Sequence, residues 1–323
     1  MRQGTFIKLH EEKWKDFEVS LKNSQALPAD RLSYIYVHLT EDLAYAQGRY
    51  PEAQVTQYLN ELTVNVHARV YSNKPEQQSR FITFWKKEVP LELARAYPYI
   101  GYSFLILITG AFIGMLSAAN DATFIRLILG DGYVNTTIQN IQNGDPMGIY
   151  KSMPGIDMFV FITFNNIRVA LLAFAMGIFF SIGTGYVLFQ NGVMLGVFHY
   201  LFFKYNMLQE ALFTIWIHGT LEISAIIIAG AAGLIMGNGL LFPGTYPRLH
   251  AFKLSAKRGL KIVLSLIPFF LVAGFLESFI TRQTEWSVYI KFFIILVSLS
   301  LTIFYLLILP KTNNHDPGKN YAL

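Results

Sequence analysis

The sequence predicts an all-α, polytopic membrane protein of about six transmembrane helices, preceded by a soluble helical region. Three observations carry that reading. Of 323 residues, 53% are hydrophobic and only 15% charged, with no cysteine, which is too apolar for a soluble globular chain. Charged side chains concentrate before Pro90, and long stretches after Tyr99 are nearly free of them. The apolar positions of the first part recur at helical spacing, which reads as amphipathic helices forming a small bundle.

Taken in order, residues 1–95 form the first region, which starts without the apolar run of a secretory signal. Trp14, Phe17 and Leu21 mark one apolar stripe and Leu59, Leu62 and Val66 another. Gly48 and Pro51 punctuate it, and a proline fits the first helical turn because its missing N–H has no partner there anyway. Asn73, Lys74 and Pro75 mark a further boundary. Residues 76–95, with Lys86, Lys87 and Arg95, read either as a juxtamembrane helix on the cytoplasmic face or as a solvated linker.

The membrane region covers 96–310. Ile100 to Ala118, Ile167 to Phe189, Ala211 to Met236 and Ile290 to Leu309 are each long and apolar enough to span, and Leu260 to Ile280 qualifies despite Pro268. Val193 to Tyr205 is short and reads as a half-helix, a re-entrant segment or a full span. Charge bias selects the full span. Arg248, Lys253, Lys257, Arg258 and Lys261 place the connector 240–261 inside, while Asp121, Asp131, Asp145 and Asp157 place the loop 119–165 outside. Both termini, including a tail at 311–323, are then cytoplasmic. Within the outer loop, Thr123 to Leu129 lies in the interface or packs over the bundle.

Helices in lipid associate through small residues and interhelical hydrogen bonds. Gly110 and Gly114, Gly177 and Ser181, Gly192 and Gly196, and Gly219, Ala229 and Gly233 supply the small residues. Asn191–Gly192 and Asn238–Gly239 read as span ends. His218 and Glu222 stand four apart on one helical face near the middle of a span, where a carboxylate must pair, protonate or meet water. Three readings compete for this pair: packing glue with Asn165, Asn166 or Asn191, a proton or ion pathway, and a metal site with His199 as a third ligand. The zincin spacing is missing, so no metal and no cofactor is assigned. Glu277 and Glu210 read as solvated span ends. The bases flank apolar spans, which argues against nucleic acid and for the lipid bilayer as a partner. No catalytic or nucleotide motif is present, so no enzyme activity is expected.

The run Asn165-Asn166, Arg168-Val169-Ala170, Gly177, Gly183-Thr184, Asn191-Gly192 and Gly196 resembles the stage II sporulation protein M family. So does His218-Gly219, Glu222 and Ile228-Ala229-Gly230-Ala231-Ala232-Gly233. Asp42-Leu43-Ala44, Pro51, Tyr58-Leu59-Asn60, His67 and Tyr71 are similar to the helical extension of longer members. The resemblance implies a scaffold in the cell membrane of a prokaryote, docking other membrane or envelope proteins; the small-residue stripes fit packing within one chain or between copies in a homo-oligomer. The founding member works in a complex with cell-wall hydrolases during spore formation; members in organisms that form no spores mean that this role does not carry over. A transporter or channel subunit with a His/Glu pathway is the alternative.

Overall fold

The computed structural model describes residues 1–22, 27–71, 80–151 and 153–313. These divide into two compact units, Met1–Ser79 and Arg80–Leu323.

Among the described residues the first unit holds three helices, Gln3–Lys22, Ala29–Arg49 and Gln54–Tyr71. Trp14, Phe17, Leu21, Leu59, Leu62 and Val66 all enter its core beside Phe6, Ile35, Leu39 and Ala46. The amphipathic periodicity thus becomes burial on one face of each helix. A charged group enters this core: buried Asp42 accepts a hydrogen bond from the Trp14 indole at 2.7 Å and pairs with Lys13 at 2.5 Å. Pro51 lies in the turn before the third helix, which starts at Gln54, and the Thr56 hydroxyl donates to the Tyr50 carbonyl at 2.7 Å to close that turn.

In the second unit, six helices among the described residues are long and apolar enough to cross a membrane: Arg80–Asn120, Gly155–Ile178, Ile182–Lys204, Leu208–Leu241, Arg248–Thr281 and Val288–Lys311. They are called the first to sixth spans. The fourth is the most enclosed and the sixth the least, so the fourth is the central post of the bundle.

Several boundaries differ from expectation. The helix of the first span begins at Arg80, so 80–95 are its opening turns and not a separate juxtamembrane helix. The expected boundary at 73–75, residues 76–79 and most of the tail lie outside the described residues. A π-helical turn at Phe84–Glu88 precedes Pro90, and another at Phe304–Ile308 precedes Pro310. The wider turn accommodates a proline that lacks an N–H and crowds the preceding carbonyls. Pro268 sits just after a break at Leu266 in the fifth span.

The expected span 167–189 is two pieces of two helices. The chain reverses at Phe179–Ser181, where Phe180 (φ 53°) and Ser181 (φ 67°) take left-handed backbone conformations. Hydropathy cannot reveal this turn because its residues are as apolar as their neighbours. Tertiary contacts hold it: Ser181 Oγ donates to the Leu234 carbonyl at 3.2 Å, Thr184 Oγ1 bridges to the Ala173 carbonyl at 2.7 Å, and Gly177 meets Gly233 backbone to backbone. The second span accordingly starts at Gly155, and the third runs back to Ile182. Asn191–Gly192 and Asn238–Gly239 therefore lie inside helices and end none; the left-handed glycine that follows the fourth span is Gly244.

The first and third spans interleave their small residues. A methyl group on Gly110 would come within 2.5 Å of the Phe189 carbonyl oxygen, and Gly114, Gly192 and Gly196 are equally closed by the backbones of Val193, Leu107 and Ala111. At the end carrying the basic cluster, Arg258 pairs with Glu92 at 2.9 Å and Lys261 with Glu88 at 2.7 Å. The openings of the first and fifth spans therefore share one side of the domain.

The segment between the first two spans is folded over the opposite end. It forms helices Ala122–Leu129 and Asp131–Gln142 and a short turn of 3₁₀ helix at Gly148–Lys151. Ile125 and Val134 pack with Val193, Val197 and Leu201 of the third span, so 123–129 covers the bundle. Asp121 caps its first helix by accepting from the Thr123 hydroxyl and N–H, which hold its carboxyl below the usual range. Arg282 donates to the Met153 carbonyl at 2.7 Å and ties the segment to the end of the fifth span.

Candidate functional site: a roofed polar chamber

Beneath this covering segment lies a chamber of about 690 Å³ between the second, third, fourth and fifth spans. Its walls are mostly apolar, from Ile162, Val169, Leu195, Phe198, Ile215 and Ile226. Into it reach Asn165 and Asn166 from the second span, Asn191 and His199 from the third, His218 and Glu222 from the fourth, and Glu277 from the fifth. The polar residues that sequence reasoning singled out thus share one space.

Their roles within it differ. His218 is buried, with its Nδ1 3.0 Å from the Thr281 hydroxyl and its Nε2 facing Glu277 Oε1 across 3.8 Å. That second gap is too wide for a hydrogen bond. Glu222, one turn further along the same helix, takes a hydrogen bond from Asn166. Asn166 also receives a long contact from Asn165 at 3.4 Å. Asn191 lines the chamber and donates to the Val187 carbonyl of its own helix at 2.8 Å.

His199, the third ligand of the metal reading that the sequence left unassigned, is committed elsewhere. Its Nδ1 bonds the Leu195 carbonyl at 2.7 Å and its Nε2 accepts from the Trp216 indole at 3.3 Å. Both ring nitrogens are occupied, which fixes the Nδ1–H tautomer. The third group beside His218 and Glu222 is Glu277, expected at a solvated end of its span. It stands on the π-helical turn Leu276–Thr281, and its side chain is only 14% exposed. One ligand atom each from His218, Glu222 and Glu277 lies within 4.8 Å of the other two.

Tyr133 and Tyr150 form the roof. The Tyr150 ring meets His218 edge-on at 5.8 Å between centroids. Burial pushes both phenols well above their ordinary range, and the nearby Glu277 charge adds to the effect. Both remain neutral hydrogen-bonding groups over the acidic cluster.

Of the small residues, Gly110, Gly114, Gly177, Ser181, Gly192, Gly196 and Gly233 sit at close helix contacts and Ala229 is fully buried. Gly219 is different. A methyl group there would touch only Ile215 Cγ2, at 3.8 Å, and the residue lines the chamber.

These features define the class: an α-helical, multi-pass membrane protein with a covered, ionisable chamber in its bundle. The family model described as stage II sporulation protein M matches residues 103–282, more than half of the chain, and the chain belongs to that family. The matched region contains every residue that lines the chamber. A second family model, described only as a domain of unknown function, matches residues 4–72. No curated protein and no solved structure gives a significant match.

Proposed function

We propose that the membrane domain binds and passes a proton or small cation, as part of a transport system in a prokaryotic cell membrane. The observation that carries this is the convergence of His218, Glu222 and Glu277, from two different spans, on one internal chamber. Ionisable groups inside a membrane domain are expensive to keep and typically mark pathways for charge. Close packing requires no such chamber: glycines let the first and third spans meet backbone to backbone.

The test is flux. In liposomes the protein should dissipate an imposed proton or cation gradient, and Glu222→Gln, which keeps the shape and removes the charge, should abolish the movement at an unchanged yield of folded protein. Tight liposomes under proton, monovalent and divalent cation gradients would sink the proposal. That result would favour the second reading, a scaffold for an envelope complex, which is supported by the separate core of the N-terminal unit and its own family match.

The same proposal places both termini in the cytoplasm, because the basic cluster opening the fifth span follows the positive-inside bias. The absence of cysteine makes sidedness directly measurable. In intact cells an impermeant maleimide should label Asn135→Cys, and Lys253→Cys only after lysis. The opposite pattern inverts the topology.

A further inference from the structure

We infer that His218, Glu222 and Glu277 form a binding site for a divalent first-row transition cation, with Zn²⁺ or Mn²⁺ chemistry. This deepens the transport reading by naming the class of cation, and it rests on that reading only for its physiological purpose.

Three observations converge on it. The first is charge. Two carboxylates brought this close inside a membrane domain repel each other strongly at low dielectric. A dication between them makes the group neutral, which no single monovalent ion does. The second is the histidine. Its Nδ1 is held by Thr281, and if that nitrogen carries the proton, the Nε2 lone pair points at the carboxylates with no hydrogen-bond partner of its own. A hydrogen bond on the far ring nitrogen is the usual way a ligating imidazole is oriented. The third is the size of the gap. Ligands at about 2.1 Å from a tetrahedral ion stand about 3.4 Å apart. At 3.8 Å for His218 to Glu277 and at most 4.8 Å across the cluster, the ligand atoms already stand within about 1.4 Å of that spacing.

The donor set decides the kind of ion. One imidazole nitrogen with two carboxylates suits Zn²⁺, Mn²⁺ or Co²⁺, whereas Ca²⁺ and Mg²⁺ favour all-oxygen sites with more ligands. Three protein ligands leave a coordination position facing the chamber, where Asn166, Asn191 and water have access. An ion held this way can enter or leave by ligand exchange, as a transport site requires.

The experiment uses the full-length protein in detergent, stripped with a chelator and titrated with Zn²⁺, Mn²⁺, Co²⁺, Ca²⁺ and Mg²⁺ by calorimetry. The expected result is one saturable site per chain for the first three ions, mutually competitive, with no saturable site for Ca²⁺ or Mg²⁺. Co²⁺ adds a visible absorption band whose position reports the nitrogen ligand. Glu277→Gln and His218→Gln should each weaken binding by at least about 100-fold, since even outer-shell losses reach that size. Glu285→Gln, on the exposed connector after the fifth span, should leave it unchanged. Size-exclusion profile and helical circular dichroism verify folding of each variant, and Glu222→Gln is a second probe if Glu277→Gln fails that check. No saturable site in the wild type, or full affinity in the folded variants, overturns the inference. Flux without metal binding removes the metal site and leaves the transport reading standing; metal binding in tight liposomes does the reverse.

Discussion

Replacing Gly192 by leucine is expected to remove nearly all folded protein from the membrane. A methyl group at this position already falls inside van der Waals contact with the Leu107 carbonyl and lies 3.0 Å from the Ala111 amide nitrogen. Both obstacles are backbone, so no side chain can rotate away, and relief requires the first and third spans to separate. Separation also breaks the reciprocal contacts of Gly110 and Gly196, because the two helices are interleaved through glycines on both sides. In lipid no hydrophobic force closes such a gap again. Overpacking a well-fitted contact commonly costs about 1–3 kcal/mol, and here several contacts are lost together. A loss above about 3 kcal/mol is a large fraction of the stability of an ordinary domain. The measurement is the monodisperse fraction of solubilised protein by size exclusion, with Gly192→Ala intermediate. Gly185→Leu on the same helix, where nothing lies within 4 Å, should match the wild type. A leucine variant at position 192 with wild-type yield would show that the packing of these two spans is not the one described.

How far the sequence alone reaches is visible in particular residues. His218 and Glu222 were readable as a pair because helical spacing fixes their common face. Asn165, Asn166, Asn191 and His199 were readable as polar groups inside apolar spans. The two stripes of the N-terminal unit were readable because a core residue in a small bundle must repeat at the helical period. Glu277 was not readable. It stands near the end of an apolar run, and position along a run says nothing about which segment folds back over that end. The reversal at Phe179–Ser181 was hidden for a related reason: it packs against Gly233 and Leu234 of the fourth span, which the apolar run's own periodicity does not record. Hydropathy records what each residue prefers, and both misses depend on what a distant residue supplies.

Replacing Gly219 by leucine is expected to have the opposite outcome to Gly192→Leu: undiminished folded protein with little remaining flux. Gly219 faces open space, with only Ile215 Cγ2 within 4 Å of an added methyl, so no backbone has to move. Within a helix, exchanging glycine for leucine contributes roughly 0.5–1 kcal/mol of stability by restricting the unfolded chain. The new side chain enters the chamber beside His218 and Glu222, filling it with hydrocarbon where ion and water must pass. Flux in liposomes should fall to about one-tenth of wild type or less, a change that needs only about 1.4 kcal/mol of added barrier. Gly219→Ala should fall between. The comparison is decisive because the two substitutions are chemically identical and lie on neighbouring spans. If leucine at 219 left flux intact while size exclusion showed a normal fold, the chamber would not be the route. If it abolished the fold instead, the open space assigned to this glycine would be wrong.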